Sequence, residues 1–276
     1  MKTANSAWAE GPMKYDDILV VIPARFKSSR LPGKPLKKIA GKPMLKRVYD
    51  RCEETNLDVM VATDNESIAE YCESENIDFI MTSPDCLTGT DRVAEVSDRL
   101  NYSGYINVQG DEPFVSPKDI LAVEKEMQVG DKREVLCGMC RIDNLDHYYS
   151  PHVPKVIFDE DRGDHSGRLR YISRAPIPAV KKDYPPPKND MWKQVCIYGF
   201  QNWHLKEFTD TYNTQSLENP NKTRLEFIED IEILRFVEKG IPVRMMKLKG
   251  SAMSVDTEDD LKIANDLWSE QGLENF

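Results

Sequence analysis

No apolar run in this chain is long enough to cross a membrane; the longest unbroken one, at 18–22, has five residues. No secretory signal pattern is present, and no internal repeat or low-complexity tract occurs. Basic residues are not in excess: 37 Lys and Arg stand against 47 Asp and Glu, a formal net charge of −10, which argues against a general nucleic-acid partner. Histidine is scarce. His147, His152, His165 and His204 show no zinc-ligand spacing, and no nucleophile-elbow motif accompanies them. Neither phosphate-loop fingerprint, G-x-x-x-x-G-K-[ST] or G-x-G-x-x-G, occurs. The six cysteines do not form a staple framework; Cys137 and Cys140 are a lone C-x-x-C in an apolar run, which reads as structural. These absences predict a reduced, cytosolic protein with no membrane and no nucleic acid among its partners. An apolar content of 40% over 276 residues allows one large domain, or one domain with an insert.

Against that background residues 18–35, ILVVIPARFKSSRLPGKP, stand out. The run from Ile18 through Leu19, Val20 and Val21 to Ile22 is the pattern of a strand buried on both faces. Pro23 stops the ladder because it has no N–H to donate. Arg25, Lys27, Arg30 and Lys34 then fall within ten residues, interleaved with Ser28, Ser29 and Gly33. Small residues let a backbone approach a ligand closely, and four cations attract anions. A buried strand delivering such a loop at its C-terminal end describes a triphosphate site in an open α/β sheet. The alternative is a solvated basic loop.

Helical spacing at 44–54 and 66–75 alternates with strand patterns at 58–62, 78–81 and 105–108. A further helix carries Val93, Val96 and Leu100, and Ser116-Pro117 opens another. The alternation predicts a doubly wound, mainly parallel α/β sheet. Over about 143–200 the character changes. Strand-like runs at 153–158, 169–173 and 192–200, with a proline-rich loop at 181–190, predict an inserted β layer over the substrate site. Helices at 203–210 and 224–239, a strand at 243–248 and a helix at 257–270 complete a single domain spanning 17–270. Residues 1–16 are expected to be an N-terminal extension or tag. Asp111, just past the strand at 105–108, points toward a ligand crevice, where a carboxylate suits a hard cation such as Mg²⁺; an ordinary acidic turn is the alternative. At 254–259, Asp256 or Thr257 reads equally as a helix cap.

Pro23-Ala24-Arg25, Ser28, Arg30-Leu31-Pro32 and Lys34-Pro35-Leu36 resemble the PAR-x-x-S-x-R-L-P-x-K-P-L signature of the CMP-sugar synthetases, most of all the 3-deoxy-manno-octulosonate (Kdo) cytidylyltransferases. The resemblance runs from about 17 to 267. It implies a nucleotide-diphospho-sugar transferase-like fold and transfer of CMP from CTP to an acidic 2-keto-3-deoxy sugar, with Mg²⁺, for cell-surface lipopolysaccharide synthesis. It further implies a cytoplasmic homodimer.

The same resemblance implies the site. Pro23, Ala24, Arg25, Ser29, Arg30 and Lys34 would hold the nucleotide together with Ser83 and with Gly89, Thr90 and Arg92 of the segment T-G-T-D-R. Asp111 in VQGDEP and Asp256 in VDTEDDL would be the metal ligands and, with Arg25 and Lys34, the catalytic set. Gln109, Gln194, Tyr198, Glu232 and Arg235 would orient the sugar, and Arg174 in YISRAPIP would capture its carboxylate; the alternative for Arg174 is a structural salt bridge. Two positions depart from the family's pattern: Gln194 stands where it has His, and Ile233 where it has Gln. These swaps imply a substrate whose distal end differs from plain Kdo, such as an amino-substituted octulosonate or a nonulosonate. A non-catalytic nucleotide-sugar binding protein is the further alternative.

Overall fold

The apolar run at 18–22 forms the centre of strand β1 (Lys14–Ala24) in a computed structural model, which describes residues 14–28, 30–161, 163, 165–181, 190–210, 216–250 and 253–270. The strand therefore begins inside the segment expected to be an extension. A register shift separates the Lys14–Tyr102 pair from the regular ladder that starts at Ile18. Leu19 and Val21 enter one apolar core, and Ile18, Val20 and Ile22 enter the other. Burial on both faces is why the run does not alternate, and each such side chain contributes about 1.5–3 kcal/mol.

A 3-10 turn (Lys34–Leu36) and the two-residue strands β2 (Lys38–Ile39) and β3 (Lys42–Pro43) lead to α1 (Met44–Glu53). Then come β4 (Asp58–Thr63), α2 (Glu66–Ser74), β5 (Phe79–Met81), α3 (Gly89–Arg99), β6 (Tyr102–Val108), α4 (Pro117–Val129) and β7 (Val135–Arg141), in the predicted alternation. β1 pairs in parallel with β4 and β6, and β4 in parallel with β5. Helices α1, α2 and α4 cover one face, and α3 covers the other. The order β5-β4-β1-β6 reverses direction between β1 and β6. Ligand crevices of open α/β sheets lie outside the C-terminal strand ends at such a reversal.

The remaining elements are α5 (Leu145–Tyr149), β8 (Lys155–Asp159), β9 (Ser166–Ser173), β10 (Trp192–Gln201), α6 (Asn202–Thr209), α7 (Arg224–Glu229), α8 (Leu234–Glu238), β11 (Val243–Lys247) and α9 (Glu258–Glu270). The strands at 143–200 do not form a layer of their own. β10 inserts between β6 and β7, antiparallel to both, and β11, β9 and β8 extend the same nine-stranded sheet. The sheet is parallel over its first half and mixed over its second. Lys155 of β8 also pairs with Lys193 of β10, so the far edge folds back toward β10. Most of the proline-rich loop predicted at 181–190 lies outside the described residues.

The single helix expected at 224–239 is two. Asp230 closes α7 in the left-handed conformation, φ 51° and ψ 48°. The break folds Arg235 back onto Glu226, with Nε and Nη2 at 2.8 and 2.7 Å from the carboxylate. In an unbroken helix those residues would be about 13.5 Å apart along the axis.

His204 shows what burial does to an imidazole. It is fully buried in the first turn of α6. The Gln201 N–H donates to its Nδ1 at 3.0 Å, and its Nε2 faces the Arg133 carbonyl at 3.3 Å. An accepting Nδ1 and a donating Nε2 require the neutral ring. Burial pushes its pKa down from 6.5 to about 4. A folded pKa below the unfolded one means that the unfolded chain binds the extra proton, so stability falls as the pH drops through this window. The group is expected to cost the fold roughly 3 kcal/mol once the pH has fallen from its unfolded to its folded pKa. His204→Gln is expected to flatten that part of the profile. Urea unfolding at a series of pH values checks this, and equal slopes in the two proteins would refute it.

Candidate active site

The basic loop after β1 closes on itself. Gly33 N–H donates to the Phe26 carbonyl at 3.2 Å, and Lys34 N–H to the Leu31 carbonyl at 3.1 Å. Gly33 takes φ 68°, a left-handed conformation that favours glycine, and the chain then turns so that Lys34 faces inward. Leu31, fully buried, anchors the loop in a small core with Ile39, Met44, Phe114, Val255, Ala264 and Trp268. Phe114 lies three residues after Asp111, and Val255 lies next to Asp256. One apolar cluster thus gathers the three charged segments, and Val255 N–H locks two of them together by donating to the Asp111 carbonyl at 2.9 Å.

Lys34 Nζ sits between the two carboxylates, 2.6 Å from Asp111 Oδ2 and 2.9 Å from Asp256 Oδ1. Arg30 Nη2 adds a contact of 3.0 Å to Asp256. Burial opposes the charge on Lys34, but Asp111 and Asp256 outweigh it and hold the ammonium pKa above its ordinary value. Burial likewise opposes the charge on Asp256, and Lys34 and Arg30 hold its carboxyl below the ordinary carboxylate value. The cap of α9 is Thr257: its hydroxyl accepts from Asp260 N–H at 3.1 Å and donates to Asp260 Oδ2 at 2.8 Å. Asp256 is thereby released from capping and faces the crevice. Two partly exposed carboxylates converging on one cationic nitrogen suit a hard divalent ion, which takes one or two carboxylates and completes its shell with phosphate oxygens and water. Arg25, at the loop's start, is exposed and forms no ion pair among the described residues; Ala24 and Pro23 are buried behind it. Ser29 lies outside the described residues.

The loop before α3 forms the opposite wall. A Cβ on Gly89 would come within 2.9 Å of Gln109 Nε2 and 3.2 Å of Pro23, so the ends of β1, β6 and α3 meet at this point. Gly110 is as tight: a Cβ there would lie 2.9 Å from the Pro23 carbonyl oxygen. Thr88 caps α3 in a box with Asp91. Thr90 N–H donates to Glu232 Oε2 at 3.2 Å, and Thr90 Oγ1 accepts from Asn107 Nδ2 at 3.2 Å. Asn107 Oδ1 in turn accepts from Gln109 Nε2 at 3.2 Å. Burial raises the pKa of Glu232, although Thr90 and Thr88 hydrogen bonds work against the rise. Ser83 is half-buried at the rim, its amide bonded to Glu95 at 2.8 Å.

Gln194 Nε2 donates to Tyr198 Oη at 3.1 Å along β10. Burial lifts the Tyr198 hydroxyl well above its ordinary pKa, with Cys196 and Glu232 adding to the rise. Ile233 is buried in the core and not at the crevice surface.

Three arginines expected to touch ligands are committed to the protein. Arg92 is 2% exposed and binds Asp64 at 3.3 Å together with the Thr82 hydroxyl, supporting the 82–88 loop from beneath. Arg174 spends its guanidinium on the carbonyls of Glu229, Pro151 and Asp230, at 2.6, 3.0 and 2.8 Å. Arg235 is 1% exposed, doubly bonded to Glu226 and bonded to Asp91 at 3.0 Å, with its guanidinium 3.8 Å from the Phe208 ring centre. Sequence reading missed Asn107 and Glu229, which orient Gln109 and the 171–174 strand end. Asn107 carried a usable signal as a polar residue inside an apolar strand; Glu229, on a helix among other acids, carried none.

A sequence profile described as cytidylyltransferase matches residues 19–248. A 3-deoxy-manno-octulosonate cytidylyltransferase of Thermodesulfovibrio yellowstonii is 34% identical over 89% of this chain and 96% of its own. One from Marinobacter nauticus is 36% identical over 88% and 93%. Among solved structures, a CMP:2-keto-3-deoxy-manno-octonic acid synthetase complexed with CTP superposes with TM-score 0.79 at 31% identity, covering 92% of this chain and 99% of that one. A 4-diphosphocytidyl-2C-methyl-D-erythritol synthase from Anaerococcus prevotii, 13% identical with TM-score 0.60, shares the fold.

Proposed function

The chain belongs to the cytidylyltransferase family, and from that premise we propose that it transfers CMP from CTP to the anomeric hydroxyl of 3-deoxy-manno-octulosonate, releasing pyrophosphate. The convergence of Lys34, Arg30, Asp111 and Asp256 at the C-terminal ends of β1 and β6 carries the reading. The anomeric hydroxyl gives up its proton to solvent as its oxygen attacks the α-phosphorus in line, the bond from that phosphorus to the α,β-bridging oxygen breaks, and pyrophosphate leaves. Little covalent work falls to the protein, so positioning and charge neutralisation supply most of the rate. Arg25, Arg30 and Lys34 hold the triphosphate oxygens. Gln109, held by Asn107, and the Gln194–Tyr198 pair orient the sugar, with Glu232 behind them. Asp111 and Asp256 would hold Mg²⁺, which when bound would neutralise phosphate charge and acidify the attacking hydroxyl. A homodimer and a cytoplasmic location belong to the same proposal; among the described residues no helix is long and apolar enough to cross a membrane.

Pyrophosphate release tests the proposal, measured with CTP, Mg²⁺ and a panel of sugar acids. Kdo is expected to support release and neutral sugars are not. The panel includes an amino-substituted octulosonate and a nonulosonate, because the Gln194 amide meets Tyr198 where the family has an imidazole. Preference for one of these would narrow the acceptor. Absence of release with every acidic sugar would sink the enzyme reading.

A further inference from the structure

Arg30, Lys34, Asp111 and Asp256 form a closed set of two cations and two carboxylates. Each partner of the proposed reaction competes for half of it. Triphosphate oxygens attract the same ammonium and guanidinium that the carboxylates hold. A divalent cation is drawn to the same two carboxylates, of which Lys34 and Arg30 occupy one oxygen each, Asp111 Oδ2 and Asp256 Oδ1. The carboxylates do not depend on Lys34 for their placement: the Val255–Asp111 backbone bond and the buried Leu31, Phe114 and Val255 hold their segments together. Lys34, in contrast, reaches the pair with a flexible four-carbon stem.

Taking Asp111 and Asp256 as the cation-binding carboxylates of the proposed function, we infer that Lys34, helped by Arg30, is an internal counter-ion that blocks divalent-metal binding until nucleotide draws it away. Nucleotide entry removes both cations from the carboxylates and leaves two negative charges side by side. That uncompensated pair then takes up the metal. Linkage makes the effect reciprocal, so metal strengthens nucleotide binding by the same factor as nucleotide strengthens metal binding.

The test uses Mn²⁺ alone, without nucleotide, titrated into the full chain and followed by the electron paramagnetic resonance signal of the free ion. Lys34→Met is expected to bind Mn²⁺ about tenfold or more tightly than wild type, because a positive charge within 3 Å of both carboxylates is gone. Arg30→Gln, at a half-exposed and screened position, is expected to tighten binding by about two- to threefold. Adding Asp256→Asn to Lys34→Met is expected to abolish the gain. Equal or weaker Mn²⁺ binding by Lys34→Met overturns the inference. If that variant fails to fold by circular dichroism, Arg30→Gln decides, and an unchanged affinity there overturns it as well. Pyrophosphate release by the wild-type protein is measured separately, so the inference and the proposed reaction can fail independently.

Discussion

Asp111→Asn is expected to lower kcat for CMP transfer by about 10²-fold or more while changing the unfolding free energy by less than about 1 kcal/mol. The two effects separate because the carboxylate serves charge and not packing. Asp111 is partly exposed, and its backbone carbonyl keeps its bond to Val255 in the variant. Lys34 retains Asp256 as a partner, so no buried charge is stranded. What would be lost is half of the negative pair that, in the proposed reaction, would organise a cation and the reacting phosphate. An amide of the same shape accepts a hydrogen bond but cannot balance a divalent charge. Lys27→Ala is the matched control: Lys27 is exposed, makes no ion pair among the described residues, and is expected to leave turnover near wild type. Steady-state pyrophosphate release and urea unfolding of both variants check this. Wild-type turnover in Asp111→Asn would remove Asp111 from the site.

Arg235→Met is expected to produce the opposite pattern, a loss of about 3–5 kcal/mol of stability. Arg235 and Glu226 are each 1% exposed and are joined by two hydrogen bonds, and Arg235 reaches the Phe208 carbonyl at 2.9 Å as well. Removing the guanidinium leaves Glu226 charged and buried, and it loosens Asp91, the residue that closes the cap of α3. The cost comes from the stranded partner more than from the lost pair. Arg235→Met combined with Glu226→Leu is therefore expected to recover part of the loss. Urea midpoints of the single and double variants decide. An Arg235→Met protein as stable as wild type, with a raised KM for the sugar alone, would return Arg235 to the substrate pocket and refute the structural role.

The contrast between these residues shows where local pattern stops being informative. Strand β1 was legible because Ile18–Ile22 is a local regularity: continuous apolar side chains satisfy a strand covered on both faces whatever surrounds it. The basic loop was legible for a similar reason, since four cations among small residues in ten positions are crowded by sequence alone. The parallel half of the sheet followed from the alternation of two periodicities. The segment at 143–200 looked like a separate layer because nothing local records that β10 slots between β6 and β7; that choice is made by pairings such as Tyr198 with Asn107 on one side and Cys137 on the other. The break at Asp230 was equally invisible, because it is the Glu226–Arg235 bond across the bend that compensates a left-handed residue.

Arginine marks the boundary most sharply. Arg25, Arg30, Arg92, Arg174 and Arg235 are one residue type, and each sits in a motif-like setting. Sequence alone determined that cations, acids and a buried strand occur in the right order for a phosphate-transfer crevice. Tertiary structure alone decided which guanidinium faces it. Arg30 meets Asp256 at the crevice, whereas Arg92, Arg174 and Arg235 are claimed by Asp64, by three backbone carbonyls and by Glu226. A guanidinium has the same five donors wherever it stands, and its role is set by whichever acceptors the fold brings within 3 Å or so. Most of those acceptors lie far off in the chain, 144 residues for Asp91 from Arg235 and 55 for Glu229 from Arg174, and even Glu226, nine residues from Arg235, is reached only because the chain bends at Asp230.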